Sequence, residues 1–454
     1  MVTATLAEHM ASSAQRELPA EVVEKTALHI LDTVAAMVSG TRLEGGVQAL
    51  KWVAQQGGRP DALVVGSECR SSAADAALAN GMLAHADETD DSHALSLTHP
   101  GCAIVPAALA VGDWRDVSGQ ALLRAVTVGY DVGPRISMAL GAASFFDDHH
   151  SSHSVGGLFG ATAAVSSLMG FSARQCEYML SYAVQQASGN ACWRRDPDHV
   201  EKAYDFGGMP AHHAVLAGTM VASGMTGSRQ PIEGTPGLLA AYPKHARPAL
   251  ATEALGTRYE VMRTAIKKWC VGSPIQSALD SLLYLMQNEG LRHEQVDRIV
   301  VSLPVQSAPV VDRREMPAVN LQFQLSVLLL DGHLSFDSGH NQARMHEAVV
   351  LDLCDRIQID PRPEQAFIDN SRQAIVTVHC RDGSIKSHHT LHVRGTPANP
   401  MTLSEIQVKA QDLMAPVLGT ERSQQLISQL IQLNELPHIS VLRPLLKPAF
   451  SLSR

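Results

Sequence analysis

Two histidine-rich segments carry the residue types that acid–base catalysis needs. The first, at residues 85–93, reads HADETDDSH, places four carboxylates within five residues, and is followed by Thr-His-Pro-Gly at 98–101. Like charges this close repel one another unless they are exposed or partnered. If the preceding helix continues, His85, Glu88 and Ser92 share one face, and His99 follows in a loop. The plainer alternative is the solvated, acidic end of a helix.

The second segment, DDHHSSHSVGG at residues 147–157, is a polar loop that leads into a glycine-containing helix start. His150 and His153 would then lie near free N–H groups that attract anions, and imidazole is an acid or a base near neutral pH. A solvated polar loop is the alternative. The HxxH spacing suggests a metal, but no HExxH pattern, cysteine partner or fixed carboxylate spacing accompanies it. We therefore predict no metal site.

Two lysines precede glycines, in KAYDFGG from Lys202 and in KKWCVGS from Lys267. Most lone lysines face solvent, but glycine lets a ligand approach the backbone closely. Neither GxGxxG nor a P-loop is present, so the sequence predicts no nucleotide cofactor.

Composition excludes several classes of protein. The 36 Lys and Arg against 45 Asp and Glu give a net charge of −9, which disfavours a nucleic-acid-binding protein. Any anion site must concentrate its cations locally.

Seven cysteines without a CxxC pair favour free thiols in a reducing compartment. No apolar run approaches the roughly 18–20 residues that span a bilayer, and no secretory signal is visible. We expect a cytoplasmic protein that binds neither membrane nor nucleic acid.

Helical patterns dominate residues 1–265, which we predict to form a large all-helical domain. The expected helices begin after Leu18-Pro19, at Ser71-Ser72, near Pro106 and at Ser118, and further helices cover 156–169, 173–188 and 209–223. Pro in a first turn, Ser at the N-cap and Gly at the end are the signals for these bounds.

The composition changes after about residue 265. Residues 266–395 are predicted to form an α+β domain with helices at 275–287 and 320–330 and a strand at 296–303. Two further strands, at 374–379 and 388–393, are joined by a turn at 381–384. Residues 396–454 are predicted to be a C-terminal helical segment. The fold class is therefore mainly α.

Six segments, in order along nearly the whole chain, together resemble the MmgE/PrpD family, which includes 2-methylcitrate dehydratase, cis-aconitate decarboxylase and iminodisuccinate epimerase. They are NGMLAHADETDDSH with THPG (80–101), HHSSHSVGGLFGATAA (149–164), KAYDFGG (202–208), GMTGSRQPIEGTPG (224–237), KKWCVGSPIQSALD (267–280) and LLLDG (328–332). The resemblance implies a large helical domain, a smaller α+β lid and a C-terminal segment that returns to the helical domain. It also implies an active site between domains, homodimers, no metal or other cofactor, and small di- or tricarboxylate substrates.

The resemblance also implies roles for individual residues. The implied catalytic residues are Glu88, His99, His150, Lys202 and Lys267, with His153 as a register alternative to His150. The implied substrate-binding positions are Asp91, Ser92, His153 and Gln276. Two departures matter, because the family commonly has His where this chain has Gln276 and Tyr where it has Phe323. These losses weaken the case for dehydratase or cis-aconitate decarboxylase activity.

The first hypothesis is a cofactor-independent, dehydratase-like lyase that abstracts a proton next to a carboxylate. The alternatives are an epimerase of a dicarboxylate, a decarboxylase, and a non-enzymatic helical scaffold, which would need none of these lysines and histidines. In the enzyme, Lys202 and Lys267 would stabilise charge on the substrate, and His99 and His150 would serve as acid and base. Glu88 would orient a histidine or take the proton. We expect Lys267 to be an exposed side chain that contributes little to stability.

Overall fold

The computed structural model describes residues 1–363 and 372–449, which form two compact units. The helical unit comprises Met1–Ala86, Asp90–Thr264 and the described part of Ile406–Arg454. The α+β unit comprises Asp87–Thr89 and the described part of Ala265–Glu405. The predicted fold class, a large helical domain with a smaller α+β domain, is confirmed.

The helical unit contains twelve helices before residue 265. They are α1 (Val2–Ser13), α2 (Ala20–Gly40), α3 (Glu44–Val53), α4 (Ala73–Ala84), α5 (Gly101–Arg115), α6 (Gly119–Ala139), α7 (Ala142–Asp147), α8 (Ser152–Leu168), α9 (Ala173–Gln186), α10 (Val200–Ala203), α11 (Met209–Ala222) and α12 (Leu238–Ala241). Two short antiparallel strands, β1 (Ala62–Leu63) and β2 (Arg70–Ser71), lie before α4. None of the described helices is both long and apolar enough to cross a bilayer.

Local signals set most of these helix bounds as predicted. Pro19 precedes α2, which ends at Gly40, and the Ser72 hydroxyl caps α4 by accepting the Asp75 N–H at 3.2 Å. The predicted start of α5 near Pro106 is wrong, because the helix begins at Gly101 and Pro106 lies inside it. A proline in the second turn removes one backbone hydrogen bond but does not end the helix here.

The α+β unit is built on a four-stranded sheet in the order β4-β3-β5-β6. Its strands are β3 (Val296–Pro304), β4 (Ile357–Arg362), β5 (Ala374–Cys380) and β6 (Ile385–Thr390), and its helices are α13 (Gln276–Asn288), α14 (Ala308–Val311), α15 (Leu321–Asp331), α16 (Phe336–Gly339) and α17 (Ala348–Asp355). Strand β3 is parallel to β4 and antiparallel to β5. Residues of α13, α15 and the sheet share one hydrophobic core.

Two strand predictions in this unit need correction. The last strand is predicted at residues 388–393, but β6 begins at Ile385, directly after the turn. Ile385 pairs with His379 of β5. A tight turn returns the chain at once into antiparallel pairing, so the strand starts earlier than its apolar residues suggest. Strand β4 was not predicted.

The C-terminal part supplies α18 (Leu403–Leu418) and α19 (Thr420–Ile431), which lie within the segment predicted to be helical. Buried Lys409 donates from Nζ to Asp32 Oδ1 of α2 at 2.6 Å. Burial raises the pKa of Asp32 to about 6, although the Lys409 charge opposes that shift. This ion pair joins the C-terminal helix α18 to α2. Residues 450–454 of the predicted segment lie outside the described residues.

Candidate active site

The acid-rich segment after α4 is neither helical nor solvated. Helix α4 ends at Ala84, so the shared face expected for His85, Glu88 and Ser92 does not form. The four carboxylates are buried and have partners. Asp87 contacts His340, Glu88 contacts Lys267, Asp90 contacts two histidines and Asp91 contacts His29. The interpretation as a solvated helix end is therefore wrong.

Asp90 bridges two imidazoles. Its Oδ2 lies 3.0 Å from His85 Nδ1 and its Oδ1 lies 3.0 Å from His99 Nδ1. Burial by itself would raise the pKa of Asp90, but the two imidazoles together hold the pKa of this carboxyl well below its ordinary value. Asp90 is therefore an acceptor, and both Nδ1 atoms donate to it. The Nε2 atom is then the basic nitrogen of each neutral ring.

Six rings form what we call the ring cluster in the helical unit: His85, His99, His153, Trp193, His199 and Phe206. Phe206 is its centre, stacked with His85 at 4.4 Å and with His153 at 3.8 Å between ring centroids. His99 lies 5.1 Å from His85 and 5.3 Å from His153. The arrangement places His99 among other titratable rings in a buried, low-dielectric setting.

Lys202 brings a positive charge to the same cluster. Its Nζ lies 5.1 Å from the Phe206 ring centroid and 5.3 Å from that of Trp193. Both distances lie within the range of cation–π attraction. The ammonium group is therefore placed where it can attract an anionic substrate group beside His99 and His153.

A close backbone contact holds the two sides of the cluster together. Gly207 follows Phe206 in a π-helical turn, Tyr204–Gly208, and a β-carbon on it would lie 2.1 Å from the carbonyl oxygen of Gly81 in α4. Only glycine permits this approach. The contact fixes the end of α4, and with it His85, against the turn that carries Phe206.

Some buried polar atoms of the cluster make no hydrogen bond within the described part of the chain. His85 Nε2 and Trp193 Nε1 are buried, and neither makes such a bond there. An unsatisfied buried polar atom costs about 1–3 kcal/mol, so its retention points to a ligand or water that binds there. A polar substrate group fits this requirement.

Within the helical unit, a trio of described residues could hold a metal ion. His85, Asp90 and His99 each offer a ligand atom, and these atoms lie within 4.8 Å of one another. The two hydrogen bonds to Asp90 already account for this proximity, and a metal bound through either Nδ1 would have to replace a proton there. The sequence spacing had not revealed this trio.

The two loop histidines have different surroundings. His153 lies on α8, which begins at Ser152, and belongs to the ring cluster. His150 stacks on Phe145 at 4.6 Å and meets Tyr242 at 5.1 Å. The fold thus brings the register alternative His153, rather than His150, beside His99 and Lys202.

Asp91 makes contacts that hold the backbone. Its Oδ2 accepts the Tyr130 hydroxyl at 2.6 Å and lies 2.7 Å from His29 Nδ1, while its Oδ1 accepts the Gly101 N–H at 2.9 Å. Gly101 begins α5 two residues after His99. Through these contacts Asp91 fixes the backbone of the segment that carries His99. Ser92, the next residue, is half-buried.

Glu88 and Lys267 meet in the α+β unit. Lys267 is only 4% exposed, and its Nζ donates to the Glu88 carbonyl oxygen at 2.6 Å and lies 4.0 Å from Glu88 Oε2. The expectation of an exposed Lys267 is therefore wrong. Lys268 points elsewhere, with its Nζ 4.3 Å from the Trp269 ring centroid. Burial lowers the pKa of the nearby Arg372 guanidinium, and the Glu88 charge opposes this shift.

The two residues that depart from the expected motifs serve the fold of the same unit. Gln276 is buried and binds only main-chain atoms in its described contacts: its Oε1 accepts the Trp269 N–H, and its Nε2 donates to the carbonyls of Trp269 and Val271. It therefore holds the loop that follows Lys267. Phe323 packs into an apolar cluster with Val327.

Known protein families match both parts of the chain. The family model of the MmgE/PrpD N-terminal domain matches residues 4–251, and that of the MmgE/PrpD C-terminal domain matches residues 269–433. The chain belongs to the MmgE/PrpD family.

The curated relatives that this chain matches are all named after cis-aconitate decarboxylase. The cis-aconitate decarboxylase of Homo sapiens is 24% identical over 94% of this chain and 90% of its own length. A cis-aconitate decarboxylase-like protein of Aspergillus oryzae is 24% identical over 98% of this chain and 97% of its own. The cis-aconitate decarboxylase of Aspergillus terreus matches at 27% over 41% of this chain and 39% of its own. Membership of the MmgE/PrpD family and these relatives point to an enzyme of the lyase type.

Several residues of the candidate site were not predicted from the sequence. Asp90 and Phe206 lie inside the quoted motifs with no predicted role, and His85 was expected only on a helical face with Glu88 and Ser92. Trp193 and His199 belong to none of the predicted motifs. A usable signal was the segment CWRRDPDHV at 192–200, which places an indole nine residues and an imidazole three residues before Lys202.

Proposed function

We propose that this chain is a cofactor-independent lyase that acts on a small di- or tricarboxylate through a carbanion-like centre next to a carboxylate. The observation that carries the proposal is the pair of histidines bridged by Asp90, beside Lys202 in the ring cluster. A fixed carboxylate with two imidazoles supplies a base and an acid, and a nearby ammonium stabilises negative charge.

Among lyase reactions we place decarboxylation of a tricarboxylate first and dehydration second. The relatives named above are cis-aconitate decarboxylases and a cis-aconitate decarboxylase-like protein, and this supports the order. In decarboxylation the bond between carbon and the departing carboxylate breaks, CO2 leaves, and the electron pair remains on carbon. A protonated imidazole, His99 or His153, then delivers a proton to that carbon. Lys202 would hold a remaining carboxylate of the substrate.

Epimerisation, which is not a lyase reaction, is the alternative candidate function. Gln276 is engaged with main-chain atoms and Phe323 lies in an apolar cluster, so the chain lacks an imidazole and a phenol that the family commonly has at these positions. Epimerisation needs only one base and one acid and loses no group. Glu88 and Lys267 remain candidate catalytic residues, and the homodimer remains a prediction.

The deciding experiment is an NMR screen of the purified protein in deuterated water with cis-aconitate, 2-methylcitrate and a panel of other di- and tricarboxylates. Decarboxylation gives labelled CO2 or bicarbonate from 13C substrate, dehydration gives a new C=C, and epimerisation gives only deuterium exchange and a changed isomer ratio. The matched control is His99→Gln. A panel that shows no exchange and no product would reject the enzyme proposal.

A further inference from the structure

A buried carboxyl next to the ring cluster has no part in the reaction proposed above. Asp205 is only 6% exposed and lies one residue before Phe206 in the π-helical turn. Turns of this kind occur often at functional sites. The Ser151 hydroxyl donates a hydrogen bond to Asp205 Oδ2.

Ser151 is itself the N-cap of α8. Its Oγ accepts the Ser154 N–H at 3.2 Å, and its own N–H donates to the Gly189 carbonyl at 3.2 Å. The Ser154 hydroxyl donates to the Ser188 carbonyl at 2.6 Å. One serine therefore connects the π-helical turn, the loop before α10 and the first turn of α8. That first turn carries His153.

The space beside the Asp205 carboxyl is tightly packed on the side of Gly189. Gly189 has φ +111°, and a β-carbon on it would lie 2.8 Å from Asp205 Oδ1 and 2.0 Å from Ser154 Oγ. A side chain at this position would push Asp205 away from Ser151. The carboxyl is thus enclosed by backbone on the side that faces the loop.

The electrostatic surroundings of Asp205 disfavour its charged form. Burial raises the pKa of Asp205 to about 7, the Ser151 hydrogen bond opposes this shift, and the charge of Glu201 adds to it. A neutral carboxyl still accepts the Ser151 hydrogen bond through its carbonyl oxygen. Asparagine therefore reproduces the acceptor, whereas alanine removes it.

We propose that Asp205 is a positioning residue: by accepting the Ser151 hydroxyl, it holds the first turn of α8 so that the His153 ring stays stacked on Phe206. The effect on the position of His153 does not depend on the reaction. Only the effect on turnover rests on the proposed function.

The first test needs no substrate. In 13C-histidine-labelled protein, the His153 Hε1 signal is assigned as the one missing from His153→Gln. The 3.8 Å stacking on Phe206 places this signal upfield in the wild-type protein. We expect it to move downfield in Asp205→Ala and in Ser151→Ala and to stay in place in Asp205→Asn. Asp198→Ala, which removes an exposed carboxylate of the same loop, is the matched control and should leave it unchanged.

The second test uses turnover of the substrate found in the screen. Asp205→Ala should lower kcat by up to roughly 10²-fold with little change in KM, since small misplacements of a catalytic group cost rate. Asp205→Asn should restore most of kcat, and the double variant Ser151→Ala/Asp205→Ala should lose no more than either single variant.

Three outcomes overturn the proposal. They are an unmoved His153 signal in both alanine variants, an equal shift in Asp205→Asn, and additive losses in the double variant. Should Asp205→Ala not fold, Ser151→Ala carries the test. A moved signal in a protein without activity on any substrate would contradict the proposed function and leave the positioning role supported.

Discussion

Asp90 accepts a hydrogen bond from His99 Nδ1 across 3.0 Å, and its other oxygen is held by a second imidazole at the same distance. One carboxylate thus fixes the tautomer and the orientation of two rings. Neither ring can turn without disturbing the carboxylate that also holds the other.

Asp90→Asn should lower kcat by about 10²–10⁴-fold, in the range seen for other carboxylates that orient a catalytic histidine. The amide keeps one acceptor oxygen, but its NH2 group faces the second Nδ1–H, so one ring must turn or change tautomer. Kinetics on the identified substrate measure this, with Asp198→Asn as the matched control. Unchanged turnover in Asp90→Asn would show that the histidine pair has no part in catalysis.

The two loop histidines allow a matched comparison. His153→Gln should lower kcat by about 10²-fold or more, as for loss of a general acid or base, because its ring lies 5.3 Å from that of His99. His150→Gln should keep most activity, since that ring stacks on Phe145. Steady-state kinetics of both variants decide which of the two histidines takes part in catalysis. A loss confined to His150→Gln would make His150 the catalytic histidine instead.

Lys267→Ala should reduce both rate and stability. Loss of an electrostatic stabiliser lowers kcat by roughly 10²–10³-fold. Loss of the ammonium also removes its buried hydrogen bond to the Glu88 carbonyl, which lowers the free energy of unfolding by about 1–3 kcal/mol. Turnover and melting temperature measure the two effects separately. Lys268→Ala is the control and should keep most activity. A destabilised Lys267→Ala with full turnover would make the lysine a structural residue only.

Low pH should destabilise the helical unit through Glu260. This buried carboxylate contacts four cationic or titratable side chains: His93, Arg135, Arg258 and Arg263. Burial alone would raise its pKa, but the His93 hydrogen bond and these charges lower it to about 2. Because this pKa lies below the unfolded value, the contribution is complete above about pH 4.5 and is lost as the pH falls toward 2.

Thermal melts of wild type and Glu260→Gln between pH 7 and pH 3 measure this contribution. The variant should melt at a lower temperature at pH 7, and the difference should shrink as the pH falls below about 4.5. Parallel pH profiles of the two proteins would contradict the assignment.

Exhaustive chelation should leave activity unchanged. The trio His85, Asp90 and His99 is held by hydrogen bonds, and the proposed reaction needs no Lewis acid. Turnover before and after dialysis against a strong chelator is the measurement. If activity disappeared and zinc restored it, the trio would be a metal site, and His99 would be a ligand rather than an acid or a base.

Helix bounds could be predicted because their signals are local. Ser72 caps α4 and Pro19 precedes α2, and both act within one turn of the residues that they affect. The early end of α4 has a local signal as well, in the Asp87 carboxylate that accepts the Thr89 N–H at 2.9 Å. Such side-chain bonds compete with helix formation, but a run of charged residues can equally extend a helix.

The site was harder to predict because its members are distant in the sequence. His85 and Phe206 are 121 positions apart and stack at 4.4 Å only because α4 packs against the π-helical turn. No local pattern states which of His150 and His153 faces that turn. Strand β4 pairs in parallel with β3 across more than fifty residues, a non-local contact that alternation within the strand does not reveal.

The contact between Gly81 and Gly207 limits how this protein can be redesigned. A mutant library meant to widen the range of substrates would naturally randomise positions around Phe206. Any side chain at either glycine would force the main chains apart, since a β-carbon would lie 2.4 Å or less from the opposite carbonyl oxygen. Such clones would fail through misfolding, whatever their chemistry. Diversification should therefore keep both glycines and start at the Trp193 edge, where the structure leaves a buried N–H available to a new partner.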